Sequence, residues 1–150
     1  MKNNMTLDLN RFIDSQEPIF AAVLEELQAG NKRTHWMWFI FPQLRCLGHS
    51  ETAKYYGING LKEARSYLQH PVLGPRLIAC IQPVLTHSGT AAVEIFGRID
   101  AKKFQSCLTL FLEASDESKL KELLNSALML FYKGHTCTAT LKFLRDEQDD

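Results

Sequence analysis

Apolar positions along the chain recur with the period of a helix, and no stretch alternates as a half-buried strand would. Ile19, Phe20, Val23, Leu24 and Leu27 fall at i, i+3, i+4 spacing, with Asp14 or Ser15 as cap, Pro18 in the first turn and Gly30 as the stop. Ser50 opens a short helical stretch ending at Gly57. Leu61, Ala64, Tyr67 and Leu68 mark another helix, closed by the His70-Pro71 step because a residue before proline is turned away from helical backbone. Val72, Leu73, Leu77, Ile78, Ile81 and Leu85 continue at that period to Gly89, with Pro83 costing one internal hydrogen bond and bending the last turn. Thr90 caps a short turn through Ile95, and Asp100 opens a longer helix with Phe104, Cys107, Leu108, Phe111 and Leu112 on one face. Asp116 caps a stripe of Leu120, Leu123, Leu124, Ala127, Leu128 and Phe131 that stops at Gly134, and Thr136 or Thr138 begins a terminal helix through Leu141 and Leu144. The expected fold is all-α, a single compact multi-helix domain over residues 1–150 with residues 1–6 and the acidic end 146–150 as frayed termini.

Composition narrows the class. A chain of 150 residues buries roughly 70% of the surface its unfolded form exposes, enough for one sizeable core. Hydrophobic residues at 45% and charged residues at 23% exclude intrinsic disorder. Seventeen basic residues balance seventeen acidic ones, so no net field draws the chain to nucleic acid or an anionic membrane, and neither partner is expected. Cys46, Cys80, Cys107 and Cys137 form no C-x-x-C pair, which excludes zinc and redox-motif spacing and reads as small core residues with free thiols. The polar start at Met1 to Asn10 has no secretory h-region, and no run approaches the ~20 apolar residues of a membrane span. A soluble, cytoplasmic protein is expected. Phosphate-binding, metalloprotease and nucleophile-elbow motifs are absent, so no metal and no cofactor are expected either.

One segment departs from ordinary core patterning. His35-Trp36-Met37-Trp38-Phe39-Ile40-Phe41-Pro42-Gln43 gathers both tryptophans, two phenylalanines, a histidine and a glutamine, and fits neither a helical stripe nor a strand. It reads as a hydrophobic plug joining helices, or as a pocket over residues 33–43 with aromatic walls and a few convergent polar groups. In the second reading Arg33 holds negative charge, Trp36 or Trp38 stacks on a ring, and Lys32 and Gln43 add polar contacts. His35 is the catalytic candidate, since burial would favour the neutral imidazole that suits a general base. Tyr55, Tyr56, Arg76, Asp100 and Lys103 are further polar candidates, while His49, His70, His87 and His135 read as surface positions in turns.

The aromatic segment, followed by Leu47-Gly48-His49-Ser50, Ala53, Tyr56 and Ile58, resembles the bacterial family catalogued as domain of unknown function 1810. Glu63-Ala64, Tyr67-Leu68, His70-Pro71-Val72-Leu73-Gly74 and Arg76-Leu77 are similar to its middle block. Phe96-Gly97, Asp100, Lys103, Ser106 and Thr109-Leu110-Phe111 are similar to its third. The resemblance spans nearly the whole chain and implies an all-helical, armadillo-like arrangement without implying an activity, substrate or cofactor. Three positions depart from the family pattern: Cys107 and Leu108 stand for Ser-Met, and Cys137 stands where an acidic residue is usual.

Two functions follow from these readings. The first is a small helical binding or interaction module, favoured by the missing catalytic motifs. The alternative is a small-molecule enzyme or sensor for an anionic, nucleotide-like metabolite, which gives the aromatic segment a use. They are separated by whether Arg33, His35, Gln43 and Tyr56 line one concavity.

Overall fold

The helical period is realised along most of the chain, with one early break. The computed structural model describes residues 8–149, and among them the elements are α1 (Asn10–Gln16), α2 (Phe20–Ala29), α3 (Met37–Ile40), α4 (Glu51–Tyr56), α5 (Leu61–Gln69), α6 (Leu73–Leu85), α7 (Ala92–Phe96), α8 (Arg98–Ala114), α9 (Ser118–Tyr132) and α10 (Thr138–Asp149). Pro18 separates α1 from α2, because it has no N–H to return to the preceding turn. The cap expected at Asp14 or Ser15 therefore lies inside α1. Ser15 instead shares a 2.5 Å hydrogen bond with the Tyr56 hydroxyl, and the buried Gln16 amide donates to the Phe39 carbonyl at 2.7 Å.

Later boundaries follow the sequence more closely. Ser50 caps α4 by accepting the Ala53 N–H at 3.0 Å, and α5 ends at the His70-Pro71 step. The half-buried His70 caps as well: its Nδ1 accepts the Val72 N–H at 3.1 Å ahead of α6. Thr90 is not the cap of α7, since the Glu94 carboxylate takes the Ala91 N–H at 3.1 Å. The Ser115 hydroxyl, not Asp116, takes the Glu117 N–H at 3.1 Å ahead of α9.

Helix α8 is the centre of the molecule. Its sequence suggests a single apolar face, yet Phe104, Cys107, Leu108, Leu110 and Phe111 are all wholly buried, because α5, α7, α9 and α10 pack around it. Each such side chain contributes about 1.5–3 kcal/mol through burial. Helices α2, α5 and α9 pack against α6.

Helix α10 runs through Asp149, and the Glu147 carboxylate accepts the Leu61 N–H at 3.2 Å, satisfying an open donor of α5. Residues 1–6 and Asp150 lie outside the described residues. No helix among the described residues is long and apolar enough to cross a membrane.

Candidate functional site: an aromatic cleft opening on a groove

The aromatic segment is held in place by a carboxylate. Glu26 sits on the inner face of α2 beside Leu27 and is 4% exposed. It accepts four hydrogen bonds: from the Arg33 N–H at 2.8 Å, the Thr34 N–H at 3.1 Å, the Thr34 hydroxyl at 2.6 Å and the Trp36 indole at 2.9 Å. Burial opposes its charge, but these donors win and hold the carboxyl down at about 2. Lys32 completes the turn, its N–H donating to the Ile95 carbonyl at 2.8 Å and its ammonium pairing with Asp100 at 2.9 Å, 4.9 Å from the centre of the Trp36 ring.

Beyond α3, the chain is pinned a second time. The Ile58 N–H donates to the Gln43 carbonyl at 2.9 Å and the Arg45 N–H to the Ile58 carbonyl at 2.8 Å, forming the isolated parallel bridge between Leu44 and Ile58. The approach is close enough to require glycine, since a Cβ on Gly57 would lie 2.3 Å from Arg45 Cα. Two anchors therefore fix the segment at both ends, and its middle forms one wall of a cleft.

That cleft is lined by Met37, Trp38, Phe41, Gln43, Ala53, Tyr56, Gly57 and Lys103, and its free space of about 10 Å³ suits a water-sized group. Gln43 and Lys103 also border an open groove of about 400 Å³, whose other walls are Leu47, Ile99, Lys102, Gln105, Ser106 and Cys137. The Lys103 ammonium lies 5.2 Å from the Trp38 ring centre and 3.7 Å from Asp100. Cleft and groove thus share two polar groups, the Gln43 amide and the Lys103 ammonium beside Asp100.

The sequence candidates divide. Trp38, Gln43, Tyr56 and Lys103 converge on the cleft, and Asp100 adjoins it through its ion pairs with Lys103 and Lys32. Arg33 and His35 do not join them. Both are exposed, because the turn over Glu26 points them outward, so His35 is not the buried base its apolar neighbours suggest. Trp36 is 2% exposed with its indole on Glu26, so it is core and offers no stacking face. Tyr56 contributes its ring only, the hydroxyl being held by Ser15. Arg76 is drawn to α1, where it pairs with Gln16 and Glu17, and Tyr55 is exposed.

Glu26 is a residue that sequence reasoning passed over, and Cys137 is one that it read as core. Of the four cysteines expected in the core, Cys80 and Cys107 are buried there, burial pushing Cys80 up to about 12 and Cys107 well above the ordinary range, whereas Cys46 is exposed. Cys137 differs: it is half-buried on the groove, and although burial raises it, the Ser106 and Thr140 hydroxyls and the Thr140 and Ala139 backbone N–H groups bring it below the usual thiol value. The signal in the sequence was its place directly before the terminal helix. For Glu26 it was a charge inside an apolar stripe. No group of three or more His, Cys, Asp or Glu among the described residues could hold a metal ion.

Fold and site together define an all-helical protein with an aromatic-walled cleft continuing into a groove. The chain belongs to the family described as protein of unknown function (DUF1810), which matches residues 6–144 and agrees with the resemblance carried by its motifs. It is similar to the crystal structure of the conserved hypothetical protein Rv1873 from Mycobacterium tuberculosis, with 46% sequence identity and a TM-score of 0.88 over 92% of this chain and 96% of that one. No curated protein matches it.

Proposed function

We propose that this chain binds a small anionic metabolite in the groove, with its charged group at the mouth of the cleft. The observation that carries this reading is the shared edge formed by Lys103 and Gln43, an ammonium and an amide brought together from distant parts of the chain beside the Trp38 ring. A groove of about 400 Å³ falls within the usual size of small-ligand sites, and apolar walls with a few polar groups are their common composition. The water-sized cleft takes a carboxylate or phosphate oxygen, and the groove takes the remainder. A nucleotide-like ligand fits this division, with Ile99 and Leu47 as apolar contacts for its ring. Free thiols at all four cysteines fit a reducing compartment such as the cytoplasm.

The test is a thermal-shift series with nucleotides, sugar phosphates and carboxylates. A concentration-dependent rise in melting temperature, lost in folded Lys103→Met and Gln43→Leu but kept in Arg33→Ala, supports the reading. No rise with any of these ligand classes sinks it.

A second reading as an interaction module is favoured by α9, which exposes Met129 at 63% and Leu130 at 47% on one face. A concentration-dependent change in sedimentation that Met129→Lys abolishes supports it, and a strict monomer that captures no partner speaks against it.

A further inference from the structure

Helix α9 packs on α6 and α8 with its inner side, while Glu122, Asn125, Ser126, Met129 and Leu130 line an open hollow of about 570 Å³ on its outer side. Met129 and Leu130 hold large apolar side chains in water there. Glu122 stands at one end of this face and Lys133 at the other, and both are exposed. The ion pairs among the described residues involve neither of them.

The order of these residues complements itself when the helix meets a second copy running the other way. Ser126 and Met129 share a midpoint between Ala127 and Leu128, and Glu122 and Lys133 share the same one. A twofold turn about that point brings residues equally far from it to the same level. Glu122 of each copy then meets Lys133 of the other, and the long, adaptable Met129 enters the hollow beside the short Ser126 of the other. At 3.6 residues per turn, positions 122, 126, 129 and 133 lie within about 60° of one another around the helix, so one stripe carries both pairs. A parallel arrangement would set Glu122 against Glu122 and is disfavoured. Lys133 itself adds a separate observation. It ends α9 at φ 56°, in the left-handed region, and is the one non-glycine there among the described residues. Glycine takes that backbone at lower cost, so the ammonium is kept in place against a local penalty.

We propose that the outer face of α9 joins two copies of this chain in an antiparallel, twofold-symmetric dimer, with Met129 and Leu130 at its centre and a Glu122–Lys133 pair at each end. This rests on the interaction-module reading, to which it gives a partner, and is independent of the anion site on the groove. The fifteen residues of α9 span about 22 Å. A stripe of that length buries an area at the low end of specific interfaces, so the dimer is reversible, with a dissociation constant of roughly tens of micromolar.

The experiment is sedimentation equilibrium of the full chain at low salt, from about 5 to about 500 μM, with circular dichroism showing that each variant is folded. The apparent mass should rise from 17.1 kDa toward twice that value. Glu122→Lys and Lys133→Glu each set like charges together at both ends of the dimer and should weaken association roughly tenfold, whereas the two in one chain should restore it to within about threefold. Lys133→Gly should weaken association by roughly threefold and leave the melting temperature unchanged or higher, which the loss of a lysine that only ends the helix would not do. A mass of 17.1 kDa at every concentration overturns the dimer. Self-association that Met129→Lys abolishes, with no rescue by the double reversal, overturns the antiparallel register and leaves the interaction-module reading standing. Self-association untouched by Met129→Lys overturns this face as the interface, and that reading of α9 with it.

Discussion

Replacing Glu26 with glutamine tests whether one carboxylate shapes the whole aromatic segment. The native group accepts four hydrogen bonds at 2.6–3.1 Å from Arg33, Thr34 and Trp36. Bonds to a charged acceptor contribute about 1.5–3 kcal/mol and neutral ones about 0.5–1.5 kcal/mol. In Glu26→Gln the amide oxygen keeps the two backbone donors and the indole, and the Thr34 hydroxyl can turn to accept from the new NH₂, so every bond survives at reduced strength. Against the relief of desolvating an uncharged group, the net loss should be about 2 kcal/mol, whereas Glu26→Ala strands a buried indole N–H and should cost about 4 kcal/mol. Urea unfolding followed by circular dichroism and tryptophan fluorescence reads both values. The pH dependence supplies an independent check. A carboxyl depressed in the folded state to about 2 from 4.5 contributes stability that is complete above pH 4.5 and lost as pH falls toward 2. The gap between the native chain and Glu26→Gln should therefore be constant from about pH 6 upward and close between pH 4.5 and 2. Equal stabilities at pH 7, or a gap unchanged at pH 2.5, would refute the reasoning.

His35→Ala should change stability by less than about 0.5 kcal/mol in the same assay, because the side chain is exposed. Gly57→Ala should cost about 1–3 kcal/mol by forcing its new Cβ against Arg45, and ligand-induced thermal shifts should disappear even in the folded fraction. Native-state labelling with a neutral maleimide should modify Cys46 and Cys137 within minutes and leave Cys80 and Cys107 untouched until urea is added.

Periodicity made most helices legible because their buried faces repeat every three or four residues, as in α5, α6 and α9. It failed at α8, where apolar and small residues on every side are buried: a pattern reports which face is apolar, not how many neighbours cover it. It failed again at α1, where Asn10, Asp14 and Gln16 dilute the stripe that Phe12 and Ile13 begin. Half of the candidate site was legible. Trp38, Gln43, Tyr56 and Lys103 border one cleft, but of the four residues that the pocket reading needed on one concavity Gln43 and Tyr56 are there and Arg33 and His35 are not, and Trp36 and His35 exchange the roles expected of them, the ring buried and the imidazole in solvent. Neighbouring residues in a tight turn point in opposing directions, and the direction here is chosen by Glu26, ten residues upstream of Trp36. Local sequence carries no trace of that choice.

The groove is lined from distant parts of the chain, by Gln43 and Leu47, by residues of α8 and by Cys137. During synthesis the aromatic segment emerges long before α10 exists, and contacts between such distant parts form late in folding. A chain stopped short of its last helix could bury much of its core and still lack the site. Ligand capture would then favour only finished molecules, drawing the folding equilibrium toward completion at the step where the final helix docks.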